Sequence, residues 1–450
     1  KHNAWMLPGV FLPHALLFQK ETLGRELKAG RLPVPAALVA MAVLGPIVFG
    51  TLAPGDASTV TWEIVDGAPA SPVTAAPSGW RRGVSAPGDD VGRYASMVRS
   101  AEGTFYIAYY DATNTALKIA VGRPGAWTSH VVDATADSGR FTSIALSATG
   151  TPVISYMRAE PAMDGRTHSA VRVAVAASAT PSATANWTTT EVSALDVPCR
   201  PEFCEGAAVC LESGTCAMPG TGCSGCTSDQ ACIAGTCTAA LPDTFVEDLF
   251  PGRGLYTRLV STATGLALIF YDRSEGNLYG TSFSGTWSAP FLIDGYDRAG
   301  GGDSGASASL FVDAMGDWHV AYVDGTDETL AYARVRAGAV GERAIVDDGS
   351  TDGATMHTDG RHVVGDDASI VVTSTGEVRI AYQDSTAHTA VLATRPSTGG
   401  MWTIRVLDDM DATGFWIDQE VTGATSRVAT WWRRQMALTT INGVRVLNVD

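Results

Sequence analysis

The chain has 450 residues, enough for one large core or two ordinary ones, and a formal charge of −16. It offers no basic groove for a polyanion, which excludes nucleic acid as a natural partner; a cation or a neutral sugar suits the charge. Glycine is abundant at 48 residues and charged residues make up only 17%, a balance that favours short strands and tight turns over long helices.

Residues 32–52, LPVPAALVAMAVLGPIVFGTL, are uncharged and follow Lys20, Arg25, Lys28 and Arg31. A basic flank before an apolar run marks residues 1–53 as a signal peptide or signal-anchor region, cleaved near Ala53 or retained as a membrane anchor through 32–52. Pro33, Pro35 and Pro46 oppose a continuous helix; a buried helix is the remaining alternative. Residues 67–91, rich in Pro, Gly, Ala and Ser, read as a loop.

From Gly92 onward the chain repeats a unit of four short apolar runs. The first is exemplified by YASMV (94–98) and FTSIAL (141–146). The second ends in an aromatic residue, one further residue, then usually Asp, as in Tyr109/Asp111, Phe270/Asp272, Tyr322/Asp324 and Tyr382/Asp384. The third runs lie around Leu117, Val171, Leu278, Leu330, Val391 and Val444. The fourth opens with Trp and ends near Asp: Trp127–Asp133, Trp287–Asp294 and Trp402–Asp408, with Trp187 opening another. Alternation within each run is that of a strand, and four antiparallel strands per unit at this period predict propeller blades.

Counting third runs predicts an all-β fold, a six-bladed β-propeller spanning 54–450. The last unit lacks its fourth run, and Trp62–Asp66 matches the missing pattern. Residues 59–66 are therefore expected to close the ring as an N-terminal outer strand of the sixth blade. The regularly placed tryptophans are expected to pack between blades, whereas Trp416, Trp431 and Trp432 break the pattern and are surface candidates. Trp431 also stands at the expected second-strand aromatic position, so part of that cluster is assigned to the core.

All eight cysteines, Cys199, Cys204, Cys210, Cys216, Cys223, Cys226, Cys232 and Cys237, lie in residues 195–243. So dense and even a set predicts a disulfide-rich insert and an oxidising compartment; Cys223-x-x-Cys226 also has zinc-ligand spacing. Of the 105 possible pairings, spacing selects none.

Several charged groups are candidates for chemistry. In a propeller the loop after the second strand and the loop entering the next inner strand share one face. That places Asp111, Asp272, Asp324 and Asp384 on this face and Asp90, Asp137, Asp303, Asp366 and Asp367 near the channel mouth. A carboxylate ring suits Ca²⁺ or a general acid and base for glycoside hydrolysis; an Asp ending a strand also caps its own turn. Arg158 and Arg433 take the place of that Asp in two units. With Arg93, Arg140 and Arg258 near inner strands, such arginines would clamp a carboxylate or sulfate, or else pair with the aspartates. The loop 347–367 adds a candidate cation site in Asp348, Asp352, Asp359 and His357. The ligand-binding candidates are Arg93, Arg140, Arg158, Arg258, Asp137, Asp303, Asp367, Trp416 and Trp432.

The repeats resemble the secreted bacterial sialidase-like and BNR-like propellers. The likeness covers roughly 59–450 less the insert and is architectural: the aspartate box S-x-D-x-G-x-T-W is represented only by traces at Gly285–Trp287 and Ala126–Thr128. The insert is similar to small cysteine-rich, Dickkopf-type modules of myxobacterial surface proteins. Together these imply an exported or cell-surface protein that binds a glycan or a partner protein through one propeller face. A carbohydrate-active hydrolase or lyase is the alternative, and a structural surface module the third. Whether the protein is an enzyme is left open by its residues.

Overall fold

The computed structural model describes residues 63–67, 88–162, 164–199, 204, 206–240, 251–435 and 440–449. The chain divides into two compact units, 1–63 and 64–450. The expected signal or anchor region, with its apolar run 32–52, lies outside the described residues, as do residues 59–62 of the expected closing strand, Trp62 included. No helix among the described residues is long and apolar enough to cross a membrane.

The second unit is the predicted six-bladed propeller. The first sheet contains β1 (Val91–Arg99), β2 (Phe105–Asp111), β3 (Ala116–Arg123) and β4 (Ala126–Asp133). The second contains β5 (Asp137–Leu146), β6 (Pro152–Pro161), β7 (Thr167–Ala176) and β8 (Trp187–Val197). The insert supplies two small pairs, β9 (Val209–Cys210) with β10 (Cys216–Ala217) and β11 (Gln230–Ile233) with β12 (Thr236–Ala239). The third sheet is β13 (Arg253–Thr262), β14 (Gly265–Asp272), β15 (Asn277–Phe283) and β16 (Phe291–Gly295). The fourth is β17 (Ser304–Val312), β18 (Trp318–Asp324), β19 (Thr329–Arg336) and β20 (Ala339–Asp347). The fifth is β21 (Val364–Val372), β22 (Val378–Asp384), β23 (Thr389–Arg395) and β24 (Thr403–Asp408), and the sixth is β25 (Ala412–Thr422), β26 (Thr425–Gln435) and β27 (Thr440–Val449). All pairings within these sheets are antiparallel and follow chain order.

The sheets stack face to face, and burial follows from that. Second strands such as β22 (VRIAYQD) are buried on both faces, whereas the outer β20 (AVGERAIVD) alternates between exposed and covered positions. Each large apolar cluster spans two blades: Leu330, Tyr332 and Val346 of the fourth pack against Ile370, Ile380 and Tyr382 of the fifth. Three of the repeat tryptophans, Trp187, Trp287 and Trp402, pack against these seams. Trp402 meets Tyr332 at 5.3 Å, and the Trp187 indole donates to His130 in the preceding blade at 3.0 Å.

Two polar stitches recur at the seams. At one inner-strand position Ser96, Ser143 and Ser309 each accept a backbone N–H from the next blade, from Ile144, Leu259 and Ile370 at 3.0–3.2 Å. At the rim, the Asp that ends an outer strand accepts the phenol of the next blade's second strand: Asp133 from Tyr156, Asp294 from Tyr322 and Asp347 from Tyr382, at 2.5–2.6 Å. Asp66 accepts from Tyr109 in the same way at 2.6 Å and ion-pairs with Lys118 at 2.5 Å. Residues 63–67 are not part of a strand, but Asp66 makes toward the first blade the contact that an outer-strand end makes elsewhere.

The insert pairs Cys199–Cys210, Cys204–Cys216, Cys223–Cys232 and Cys226–Cys237. It is thus two successive modules, each with a first-to-third and second-to-fourth pairing. The alternative zinc reading of Cys223 and Cys226 fails because both sulfurs are oxidised to different partners. The first module rests on the second blade, where the Cys216 N–H donates to the Asp164 carbonyl at 2.7 Å.

Candidate functional site: the mouth of the axial channel

The second-strand aspartates do not form a carboxylate ring. Asp111, Asp272, Asp324 and Asp384 each cap their own turn, accepting two consecutive backbone N–H groups through Oδ1. Where this Asp is missing, the hairpin runs further. Past Arg158 the ladder continues to Pro161–Thr167, and in the sixth blade it continues to Gln435–Thr440. The sequence assignment needs one correction here. Asp418↔Ala429 aligns with Ser369↔Ala381, so Trp432, not Arg433, stands at the Asp position. The residue equivalent to Tyr382 is then Thr430, not Trp431.

Register shifts near the start of every first strand produce a β-bulge with a common geometry. A glycine with positive φ (Gly92, Gly139, Gly254, Gly305, Gly365, Gly414) is followed two residues later by a non-glycine residue in the left-handed region. A Cβ on Gly305 would lie 2.7 Å from Tyr271 Cδ2, so glycine is required there by space as well as by φ. The six left-handed residues are Tyr94, Phe141, Tyr256, Ser307, Asp367 and Trp416, with φ between 48° and 54°.

The first strands of successive blades, from the first to the sixth, adjoin one another, so these six residues lie at the same end of the inner strands and line the mouth of the axis. Four are aromatic and two are polar. Tyr94 lies 4.5 Å from Phe141, and Phe141 lies 5.1 Å from Tyr256, ring centre to ring centre. Trp416 packs edge-on to Trp431 at 5.2 Å and is nonetheless 69% exposed; Tyr94 is 38% exposed. A bulky aromatic residue held at positive φ is costly, by about 1–3 kcal/mol, and such strain concentrates at functional positions.

The polar side of the mouth is acidic. Asp367 accepts the Trp416 N–H at 2.8 Å. Burial, with Asp366 beside it, holds its carboxyl above the usual range against the pull of Trp416 and Arg258. Burial also pushes the Tyr256 hydroxyl up to about 12, and Asp366 and Asp367 add to the effect. Below them, Arg258 and Asp418 replace the stitching serine in the third and sixth blades. Among the described residues Arg258 forms no ion pair; it donates to the Thr257 carbonyl at 3.3 Å and lies in the fields of Asp418 and Asp367.

The other candidates are dispersed. Arg93 pairs with Asp90 at 2.5 Å, Arg140 with Asp137 at 2.9 Å, and Arg158 with Glu160 at 2.5 Å. Asp303 accepts from Tyr271 at 2.6 Å. Trp432 lies beneath Arg434 and Arg445. In the loop after β20, Asp348 and Asp352 cap local turns and Asp359 accepts from His362 at 3.1 Å. Of the nine predicted ligand-binding residues, the fold gathers Arg258, Asp367 and Trp416. Sequence reasoning missed Tyr94, Phe141, Tyr256 and Ser307, although the signal was present in a first run that repeats Gly-x-X, with X the left-handed residue.

No protein-family model matches the chain, and no curated protein matches it in sequence. Among solved structures, a protein of unknown function from Dyadobacter fermentans is 9% identical, covering 80% of this chain and 94% of its own, with a TM-score of 0.44. The six-bladed fucose-recognising lectin of the fungus Aleuria aurantia is 12% identical over 80% and 95%, with a TM-score of 0.39. An α-L-arabinofuranosidase from Lactobacillus brevis is 10% identical over 70% and 90%, with a TM-score of 0.33. The propeller assignment rests on the strand topology of the chain itself, and no sialidase-like family is identified. None of these likenesses is close enough to carry a function across.

Proposed function

We propose that the protein is an exported glycan-binding protein whose binding face is the mouth of the propeller axis. One observation carries this reading: six equivalent strained positions at the same end of the inner strands bear an aromatic run, Tyr94, Phe141 and Tyr256, followed by the polar Ser307 and Asp367 and then the exposed Trp416. Aromatic faces cover the C–H faces of a sugar ring, while carboxylate and hydroxyl groups take its hydroxyls, the mixture of apolar wall and few polar groups that ligand sites use. The four disulfides agree with an oxidising compartment. On a glycan array, Trp416→Ala and Tyr94→Ala are expected to lower binding at least tenfold with the far-ultraviolet spectrum unchanged. Wild-type protein that binds no glycan, or variants that bind equally well, would remove this reading.

One observation favours catalysis as a second reading. Asp367 is held above its usual range beside Asp366, the condition of a general acid facing a second carboxylate. Hydrolysis of a bound glycan, lost in Asp367→Asn with binding retained, would establish it.

A further inference from the structure

The loop between β20 and β21 carries a feature that the glycan reading does not use. His357, His362 and Asp384 place one ligand atom each within 4.8 Å of one another. We infer that these three residues form a site for a zinc-class divalent transition-metal ion.

The backbone builds the cluster. Gly349, at φ +70°, lies so close to His362 that a Cβ there would sit 2.0 Å from the His362 carbonyl oxygen. The His362 N–H donates to the Gly349 carbonyl at 2.8 Å, and the His357 N–H to the Ser350 carbonyl at 3.0 Å. Two neighbouring carbonyls thus hold both histidines side by side, and their imidazoles stack at 3.5 Å. Asp384 comes from the end of β22. Its Oδ1 is committed to the Thr386 and Ala387 N–H groups, leaving Oδ2 facing His362 Nδ1 at 2.6 Å.

On its other side His362 has Nε2 against Asp359 Oδ1 at 3.1 Å. That is the outer-shell arrangement of metal-binding histidines: one nitrogen donates to a carboxylate, which fixes the tautomer and turns the other nitrogen's lone pair toward the ion. In this site Asp359 orients His362 and does not ligate. Two imidazoles and a carboxylate suit zinc and its neighbours, with the fourth position left to water; a hard ion such as Ca²⁺ prefers oxygen ligands alone. Binding displaces a proton shared between His362 Nδ1 and Asp384 and requires the His357 ring to turn out of its stack.

The test is a titration of the tag-free chain with zinc chloride, read by competition with a chromophoric chelator. Cobalt(II) serves as a spectroscopic substitute. One equivalent of Zn²⁺ is expected to bind with a dissociation constant below about 10 μM, and the cobalt form to show visible d–d bands of low coordination number. His357→Ala and His362→Gln should each weaken binding at least tenfold, and Asp352→Asn should leave it unchanged. His357 is only half-buried, so its variant is expected to keep the wild-type melting temperature without metal. Absence of zinc binding in the wild-type protein, or binding that survives His357→Ala, would overturn the assignment.

Discussion

Replacing Tyr382 by Phe removes one hydroxyl from a fully buried ring and leaves the ring's packing intact. That hydroxyl donates to Asp347 Oδ2 at 2.5 Å across the fourth and fifth blades, and Asp347 is itself buried. A hydrogen bond to a charged acceptor contributes about 1.5–3 kcal/mol, and the carboxylate left behind loses one of its two partners, the other being the Gly349 N–H at 2.9 Å. Burial already raises the Asp347 pKa, and the Tyr382 hydroxyl is the leading influence that holds it down; the variant raises it further. A loss of about 2 kcal/mol is expected. At roughly 2 cal/mol/K per residue, the 64–450 unit unfolds with an entropy near ~0.8 kcal/mol/K, so the melting temperature should fall by about 2–3 °C. Urea denaturation with the disulfides intact gives the free energy directly, and a double-mutant cycle with Asp347→Ala isolates the bond. The third blade supplies an internal control. Phe270 occupies the same position, and the rim position of the preceding blade holds Ser193, whose Oγ accepts from Arg253 at 3.0 Å, in place of an aspartate. Phe270→Tyr should therefore destabilise, because its buried hydroxyl finds no carboxylate. A Tyr382→Phe variant within 0.5 kcal/mol of wild type, or one equally costly in the Asp347→Ala background, would refute the seam as a source of stability.

Tyr109→Phe should cost a similar ~2 kcal/mol by the same assay, since Asp66 takes the place of an outer-strand aspartate; a neutral result would deny Asp66 that role on the first blade. Trp416→Gly is expected to hold or raise stability by about 0.5–1 kcal/mol, because glycine accepts φ +48° without strain, while glycan binding is lost; thermal melts and array binding measure the two effects. Gly305→Ala should cost more than about 2 kcal/mol, since both its φ of +128° and the 2.7 Å approach to Tyr271 are closed to a Cβ; urea denaturation checks it. Asp317 bears on acid stability. Hydrogen bonds from Arg336 and Arg334 lower its pKa from 3.8 to about 2. Its folded pKa is depressed, so the stabilisation is fully present above pH ~4 and is lost as pH falls through ~2. The exposed arginines screen the pair and limit its contribution to about 1–2 kcal/mol. Asp317→Asn should flatten the pH dependence of stability over that window.

Much of the architecture was written in local periodicity. The six third runs, from Leu117 to Val444, fall on the third strands of six sheets. The turn-capping role of Asp111, Asp272, Asp324 and Asp384 was equally legible, because an Asp two or three residues before its N–H partners needs only local geometry. The rim aspartates Asp133, Asp294 and Asp347 were visible as a repeat, but their partners are phenols in the next blade, 23 to 35 residues away.

The candidate sites divide along the same line. A single chain determines which residue types recur and at what spacing, because strand pleat and turn chemistry act over a few residues. It does not determine what lies across the axis, since Arg258 and Asp418, or Tyr94 and Tyr256, become neighbours only when separate sheets converge. The register of the sixth blade was likewise decided by the ladder, which moved the Asp position from Arg433 to Trp432. In the loop after β20 the sequence showed a cluster of acids and histidines. Tertiary structure divided their labour: Asp348 and Asp352 cap turns, whereas His362 faces Asp384, brought to it by the neighbouring hairpin. Interactions within a turn are encoded where they occur, and interactions between blades exist only once the sheets have packed against one another.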